Sequence, residues 1–341
     1  MNGRTLPASI LKTAFFLISL ALVSSVCALA APAGTEKIPV QSDVINRFRV
    51  GSTETRFGSL EFVGGLELSS HSSKFGGMSA IRMLDDRNFL GVMDTGYWYF
   101  GTLERDQAGR PSAVTDFAVG KILGNGDDKY GSDAEGMVID GNRVLVSFER
   151  DHRIGAFDLN LIPRSAGKNL PHPIPLHEFR SNAGMEAIAK APSGGALDGS
   201  IVVLTEKSLD KKGDIFAAVL SGPQKGVFFV RRWGRYDITD ADFLPDGALL
   251  VLERRFNLAD GIGMRIRRIA AGDIRPGATV DGEVIMEANL ANQIDNMEGL
   301  DVFETPDGGT HIMLVSDDNR SILQRTLMLE FRLVDEPKTM N

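Results

Sequence analysis

Cysteine is almost absent from this chain of 341 residues, which has a single one at position 27. The residues around it have the order of a secretory signal peptide. Arg4 and Lys12 are positive, residues 14–23 are apolar, and residues 28–30 read Ala-Leu-Ala, which suits a signal peptidase. We predict cleavage after Ala30 and a periplasmic or secreted protein. Such a mature chain has no cysteine and no disulfide, so its stability would depend on packing or on a bound metal.

Two other interpretations of this N-terminal segment are weaker. A retained membrane anchor needs about 20 apolar residues, and this apolar run is shorter. A lipoprotein would carry its lipid on Cys27, but residues 24–26 fit a lipidation site poorly. We therefore expect no membrane span after cleavage, a lead-in segment at residues 31–58, and one domain at residues 59–335.

An excess of basic residues is also absent. The chain has 37 Lys and Arg residues and 45 Asp and Glu residues, which gives a formal net charge of −8. General nucleic-acid binding usually needs a basic surface, so we expect no nucleic-acid partner. The histidines show no metal-ligand spacing. A G-x-S-x-G nucleophile elbow is missing too, because the segment around Ser79 lacks the second glycine. An acidic chain can instead concentrate carboxylates around a cation.

A hairpin pattern recurs along the sequence. Residues 132–150 contain two apolar runs on either side of Asp140-Gly141, a dipeptide typical of tight hairpin turns. Similar segments occupy residues 77–96, 184–207, 239–255 and 296–319. Aligned on the residue that opens the first strand, they place at equivalent positions Ser79, Glu135, Glu186, Asp242 and Glu298. These opening residues lie 56, 51, 56 and 56 positions apart, a spacing that indicates the blades of a β-propeller.

The repeats predict an all-β propeller of four-stranded blades. Five units are counted, and a sixth blade would require a further contribution from residues 44–63. The fifth unit ends after its third strand, while residues 60–69 form a strand outside any unit. We predict that this N-terminal strand completes the last blade and closes the ring, which leaves no sheet edge open.

Acidic residues also end the second strand of each hairpin. The ending residues are Asp94, Glu149, Glu206, Glu253 and Asp317. The first strand of a blade lines the channel of a propeller, and hairpin geometry puts opening and ending residues at the same end. We therefore expect a ring of carboxylates at one channel mouth. Hard oxygen ligands with few histidines favour Ca²⁺ over Zn²⁺.

Roles follow from this expected ring. The candidate metal ligands are Glu135, Glu186, Asp242, Glu298, Asp94, Glu149, Glu253 and Asp317. Three of them, Glu135, Glu186 and Glu298, are also the candidate catalytic residues. Basic residues follow three ending acids, and Arg150, Lys207 and Arg254 would bind an anionic substrate. With about equal weight, these basic residues only pair with the ending acids in a structural ion-pair network.

The pieces GGMSAI, DTGYW, SDAEGM, SFERD, GMEAIA, LTEK, LLVLERR and NMEGLDVF occur in this order. Together they resemble the phytase-like family, also described as having esterase-like activity of phytase, over residues 60–333. The resemblance implies an exported β-propeller associated with the hydrolysis of phosphate or other esters. It transfers no catalytic residues. The R-H-G-x-R-x-P motif of histidine acid phosphatases is absent, which excludes that mechanism.

Two functions from different classes remain open. The first is a Ca²⁺-assisted hydrolase of small phosphate or carboxylic esters, with a lactonase as a variant of it. The second is a non-catalytic periplasmic propeller that binds a ligand or an envelope protein, because a fold alone does not determine activity. The sequence does not fix the substrate, the oligomeric state or whether the protein is an enzyme.

Overall fold

The computed structural model describes residues 32–124, 129–179, 184–257 and 261–334. The predicted signal peptide at residues 1–30 lies outside these described residues. Within them the helical elements are short, namely α1 (Lys129–Ser132) and two 3₁₀ turns (Leu176–Glu178 and Ala271–Asp273). No helix in the described part of the chain is long and apolar enough to cross a membrane.

The remaining elements are strands, which form five sheets. The lead-in segment contains β1 (Glu36–Lys37), β2 (Gln41–Ile45) and β3 (Arg56–Phe57), and it is followed by β4 (Leu60–Ser69). The first blade contains β5 (Met78–Met83), β6 (Asn88–Met93), β7 (Tyr97–Arg105) and β8 (Pro111–Lys121). The second contains β9 (Ala134–Asp140), β10 (Arg143–Phe148), β11 (Arg153–Asp158) and β12 (Lys168–Leu170).

The chain continues in the same order. The third blade contains β13 (Met185–Lys190), β14 (Ile201–Leu209), β15 (Ile215–Val219) and β16 (Gly226–Val230). The fourth contains β17 (Asp237–Phe243), β18 (Leu249–Asn257), β19 (Gly261–Ile269) and, after the short β20 (Thr279–Val280), β21 (Glu283–Asn289). The fifth contains β22 (Asn296–Glu304), β23 (Thr310–Asp317) and β24 (Thr326–Leu333). The predicted propeller is confirmed, with five blades.

The fourth strand of the fifth blade is β4, which pairs antiparallel with β24 along its whole length. On the outer side of β4 lie β2 and β3, so residues 44–63 extend the fifth blade and form no sixth one. Two more short strands extend other blades, since β1 pairs with β8 and β20 pairs with β16. The prediction that an N-terminal strand pairs with the last blade is therefore confirmed.

Apolar residues fill the spaces between neighbouring blades. Five buried clusters lie between consecutive blades, including one between the fifth and the first, where Leu66 of β4 and Met313 of β23 pack with Met78 of β5. The inner strands β5, β9, β13, β17 and β22 contact one another around the ring. This arrangement brings one end of all five inner strands to a common channel mouth.

Each inner strand is joined to the next strand at the other end of the hairpin, by a tight turn in the second blade and by a longer loop, residues 191–200, in the third. In the second blade Ile139 pairs with Val144, and Gly141 between them has φ 61°, a conformation that favours glycine. The open end of each hairpin, which contains the opening and ending residues, therefore lies at the opposite end from this connection, as the sequence predicted.

Candidate functional site

A β-bulge lies near the open end of every inner hairpin, where the pairing register shifts by one residue. Bulges commonly re-aim side chains next to functional sites. The extra residue is one of the predicted opening residues in four blades, namely Ser79, Glu135, Glu186 and Glu298. In the fourth blade it is Thr239, because Ile238 pairs with Glu253 and Asp240 with Leu252.

The alignment of Asp242 with the opening acids is therefore wrong. Asp242 lies three residues past the bulge and lines a cavity at the opposite mouth of the channel. The residue at the opening position of the fourth blade is Thr239. It is buried, and its hydroxyl donates a hydrogen bond to the Met297 carbonyl at 3.0 Å. The 56-residue spacing favoured Asp242 in the alignment, because the true opening position of the fourth blade holds a threonine and no carboxylate.

The alignment of Glu253 is wrong by one residue. The backbone amides of Asp94, Glu149 and Glu206 donate hydrogen bonds to the carbonyls of the residues just before the first strands of their blades, namely Gly77, Asp133 and Gly184. In the fourth blade the residue at this place is Arg254, which pairs with Asp237.

Glu253 instead points away from the channel and is fully buried. Its carboxylate accepts hydrogen bonds from Arg265 Nε at 2.5 Å and from Arg267 Nη2 at 2.6 Å. This carboxylate is thus part of a structural ion-pair network, but its partners are Arg265 and Arg267 and not the basic residues that follow the ending acids.

The other predicted residues meet in one cavity of about 220 Å³, which we call the acidic mouth. It is lined by Ser79, Asp94, Asp133, Glu135, Glu149, Arg150, Glu186, Glu206, Lys207, Arg254, Glu298, Asp317 and Asn319. Eight of these residues are acidic and three are basic. Except for Asp242 and Glu253, every candidate metal ligand and all three candidate substrate-binding residues lie here.

The three basic residues each contact acids of the mouth. Arg150 Nε lies 2.6 Å from Asp133 Oδ2, and Lys207 Nζ lies 2.9 Å from Glu206 Oε2. Arg254 lies between two blades, with its Nε 3.2 Å from Glu298 Oε1 and its Nη2 3.5 Å from Glu206 Oε1. Burial opposes the charge of Arg254, but the carboxylates of Glu298, Glu206 and Glu186 raise the pKa of its guanidinium. These contacts neutralise only part of the acidic mouth.

Glu135 and Glu186 have no ion pair or side-chain hydrogen bond with any described residue. Glu186 is only 7% exposed, whereas Glu135 is partly exposed. Burial, together with the neighbouring carboxylates, raises the pKa of both groups well above the ordinary value for glutamate. Two buried or half-buried carboxylates are costly to ionise without a cation, so this part of the mouth is suited to bind a positive ligand.

Two further acids of the mouth have a raised pKa. Burial raises the pKa of Glu149 to about 7, with Asp133 and Glu206 adding to the effect. Burial likewise raises the pKa of Asp317 to about 7, with Asp94 and Glu298 adding to it. These carboxylates surround a small volume and cannot all ionise at neutral pH without a compensating charge.

The sequence did not single out Asp133, which lies just before β9 and is 2% exposed. Its carboxylate lies with those of Glu135 and Glu149 in one group whose oxygens are all within 4.8 Å of one another. The signal that could have identified it is its position two residues before a bulged glutamate, because residues at i and i+2 lie on one face of a strand.

The opposite mouth has a different chemistry. Arg82, on β5, crosses the axis of the ring and donates hydrogen bonds from Nη1 to the Leu300 carbonyl at 2.6 Å and from Nη2 to the Ile188 carbonyl at 3.4 Å. The same guanidinium lies 3.4 Å from Asp240 and 3.7 Å from Asp301. Burial raises the pKa of Asp240 to about 7 and that of Asp301 to about 8. We call Arg82, Asp240, Asp242 and Asp301 the axial cluster.

The axial cluster makes stability depend on pH. The pKa of Asp301 is about 8 in the folded protein and about 3.9 when unfolded, so the folded state retains the proton over the interval between them and its stability falls as pH rises through it. Asp301→Asn imitates the protonated acid. We expect the melting temperature of wild type to fall relative to this variant by roughly 2 °C or more between pH 6 and pH 9. Thermal melts in EDTA at both values test this, and a constant difference would contradict it.

Histidines are not among the described residues that line the acidic mouth. His311 binds the buried Glu330 carboxylate through Nδ1 at 2.6 Å, and His172 contacts the carbonyl of His152 at 2.8 Å. Ser79 lines the mouth but is only 3% exposed. The mouth is therefore a site of carboxylates, guanidinium groups and one ammonium group.

Comparisons with solved structures find many matches of low sequence identity. A protein of unknown function from Dyadobacter fermentans is 12% identical with a TM-score of 0.42, and the match covers 88% of this chain and 100% of that one. The glutaminyl cyclase of Myxococcus xanthus is 11% identical with a TM-score of 0.38, over 88% and 100%. YCF48 bound to a D1 peptide is 11% identical with a TM-score of 0.34, over 82% of this chain and 66% of that one.

No curated protein matches this sequence. The sequence profile of one family does match, over residues 73–320, and its description is "Phytase-like: Esterase-like activity of phytase". The matched region begins just before the first blade and ends in the fifth, so it includes every acid of the acidic mouth. This chain belongs to the phytase-like family.

Proposed function

We propose that this protein is an exported hydrolase of phosphate or carboxylic esters, which acts at the acidic mouth with a bound divalent cation such as Ca²⁺. The observation that carries the proposal is the excess of carboxylates in one cavity, eight against three basic side chains. Glu186 adds to it, since a buried carboxylate without an ion-pair partner among the described residues is costly to ionise unless a cation compensates its charge. The description of the family supports an ester as the substrate.

The donor set fits a hard cation. Carboxylate oxygens are the ligands that Ca²⁺ prefers, and six to eight of them are accepted in flexible geometry. Oxygens of Asp133, Glu135 and Glu149 lie within 4.8 Å of one another, as do those of Glu149, Glu186 and Glu206. These five residues would hold the ion. A bound cation of this kind polarises an ester oxygen and lowers the pKa of a coordinated water molecule.

The basic residues have the exposure that substrate binding needs. The side chains of Arg150, Lys207 and Arg254 are 34%, 40% and 32% exposed, so their unpaired N–H groups can donate to a phosphate or carboxylate. Their fixed pairing with Asp133, Glu206 and Glu298 orients them toward the cavity. An anionic ester would otherwise be repelled by the acids of the mouth.

Three acids of the mouth remain, and two of them, Glu298 and Asp317, are suited to proton transfer. Glu298 is held by Asn296 Nδ2 at 2.7 Å and by Arg254, while Asp317 accepts the Asn319 amide at 2.7 Å. Both line the same cavity as the proposed ligands and have raised pKa values. We assign them as the candidate general bases that accept a proton from the attacking water.

The proposal predicts that Ca²⁺ stabilises the protein. A ligand that binds only the folded state adds RT ln(1 + [L]/Kd), about 2.7 kcal/mol at a hundred times Kd. Thermal melts of EDTA-treated protein with and without Ca²⁺ measure it. Glu186→Gln should show a clearly smaller shift, and Asp246→Asn, a surface control paired with Arg268 on another part of the fourth blade, should retain it.

The same variants test hydrolysis. Turnover of p-nitrophenyl phosphate or p-nitrophenyl acetate should require Ca²⁺ and fall at least about 100-fold in Glu186→Gln, since a positioned electrostatic group is commonly worth that much. Wild-type protein that neither melts at a higher temperature with Ca²⁺ nor hydrolyses either ester would overturn the proposal.

A non-catalytic propeller is the second candidate. It is favoured by the chemistry of the mouth, where the described lining residues include no histidine or cysteine and the Ser79 hydroxyl is buried. Such a protein would bind a ligand or an envelope protein without turning it over. Recovery of one stoichiometric partner from periplasm, together with no hydrolysis of either ester, would support this function over the first.

Export is part of the proposal and rests on residues 1–30 of the sequence. The charge, apolar run and Ala-Leu-Ala segment favour cleavage after Ala30. N-terminal sequencing of protein purified from the periplasm or culture medium tests it, with Ala31 as the expected first residue.

A further inference from the structure

Two groups of carboxylates in the acidic mouth share one member, Glu149. The first contains Asp133 and Glu135, the second contains Glu186 and Glu206, and in each the oxygens lie within 4.8 Å of one another and of Glu149. Glu149 ends the inner hairpin of the second blade, and its backbone amide is bound by the Asp133 carbonyl at 3.0 Å. Its position between the second and third blades is therefore fixed by the sheet.

The two groups have the same internal organisation. Each contains one acid that already pairs with a basic residue, Asp133 with Arg150 at 2.6 Å and Glu206 with Lys207 at 2.9 Å. Each also has a bulge residue with no ion pair to a described residue, Glu135 in the first and Glu186 in the second. A site for one ion would leave one of these two bulge carboxylates without a compensating charge.

Glu186 provides an independent indication of a ligand. It is 7% exposed, lines the cavity and has no hydrogen-bond or ion-pair partner among the described side chains. Its backbone is fixed by the bulge of β13 between Met185 and Ala187. A side chain held this way meets solvent only within the cavity, so a cation that compensates its ionised form would bind there.

With every acid of the mouth ionised, charge balance favours two ions over one. The eight acids and three bases of the acidic mouth sum to −5 when all are ionised. One divalent cation reduces this to −3 and two reduce it to −1. Only the second value leaves the mouth nearly neutral, and an anionic phosphate ester can approach a nearly neutral mouth.

We infer that the acidic mouth holds two divalent cations, with the Glu149 carboxylate as the ligand they share, and that its substrate is an anionic phosphate ester. This inference rests on the proposed function, since it requires that the mouth binds a cation. Neighbouring pairs of cations are the arrangement that proteins use to clamp the oxygens of a phosphoryl group. The exposed N–H groups of Arg150 and Lys207 complete the binding of the anion.

Isothermal titration of the EDTA-treated full chain with Ca²⁺ counts the ions. We expect a stoichiometry of two for wild type and for the surface control Asp246→Asn. Glu135→Gln and Glu186→Gln should each bind one ion, because each variant removes a ligand from one group only. Glu149→Gln should weaken both ions by at least about 10-fold, because it removes the ligand they share.

The outcomes separate this inference from the proposed function. A wild-type stoichiometry of one would overturn the two-ion inference and leave the cation-assisted hydrolase standing. A stoichiometry of zero would overturn both. Two ions of which only one is weakened in Glu149→Gln would contradict the shared ligand. Should Glu149→Gln fail to fold, the single-site losses in Glu135→Gln and Glu186→Gln decide the matter.

A phosphate substrate gives a second readout. With both ions bound, inorganic phosphate should bind to wild type and should bind at least about 10-fold more weakly to Glu135→Gln. Equal affinity in the two proteins, or binding of phosphate without Ca²⁺, would contradict the assignment of an anionic phosphate ester.

Discussion

A chain that begins at residue 71 is expected not to fold. Such a chain lacks β4, whose buried residues Leu60, Phe62, Leu66 and Leu68 pack against β24 and against the first blade. Burying an apolar side chain of this size contributes about 1.5–3 kcal/mol, so four of them contribute about 6–12 kcal/mol. That equals most of the about 5–15 kcal/mol by which a domain is stable, and β24 would in addition expose an unpaired edge.

The measurement is the thermal melt of soluble protein from matched truncations. A chain that begins at residue 38 loses only β1, whose two residues are exposed, and should melt within a few degrees of the parent. The chain that begins at residue 71 should be insoluble or show no cooperative transition. Residues 32–70 supplied as a separate fragment should restore folding. A cooperative melt of the shorter chain near the parent temperature would show that the fifth blade does not need β4.

Replacement of Arg82 with leucine should give the second large loss of stability. Arg82 is 5% exposed, and it is the basic member of an axial cluster that contains Asp240, Asp242 and Asp301. Removing one partner of a buried ion pair costs about 3–5 kcal/mol, because the charges left behind have neither water nor a counterion. Leucine would also leave the carbonyls of Leu300 and Ile188 without the donors they now have.

Urea denaturation at pH 8 measures this loss. Arg87→Leu is the matched control, because Arg87 makes a half-exposed ion pair with Glu104 and such pairs contribute about 0–1 kcal/mol. The loss in Arg82→Leu should shrink at pH 5, where the buried aspartates bind protons and no longer repel one another. Equal stability of the two variants at pH 8 would contradict the role given to Arg82.

The fold could be predicted from the sequence because the signals are local and repeated. A turn such as Asp140-Gly141 and apolar runs on both sides of it determine a hairpin without knowledge of the rest of the chain. The pairing of β4 with β24 was also predictable, because β4 lies outside every repeat unit and the fifth unit lacks a fourth strand. The short additional strands β1, β3 and β20 gave no comparable signal, because two residues are too few to show periodicity.

The acidic mouth was only partly predictable, and the fourth blade shows why. An alignment by residue type matched Asp242 to the opening acids and Glu253 to the ending acids, but the β-bulge places Thr239 and Arg254 there. A bulge shifts the register by one residue and has no fixed sequence signature. Whether a carboxylate faces the channel or a buried arginine such as Arg267 thus depends on a local backbone irregularity that composition does not reveal.

The position of the Arg82 guanidinium determines whether a molecule can pass along the central channel. Because it bonds to the inner strands of the third, fourth and fifth blades, it blocks the axis between the two mouths. The acidic mouth is then closed at its inner end, and the axis of the ring does not connect it with the opposite mouth. A molecule that enters the acidic mouth must therefore leave through the same opening.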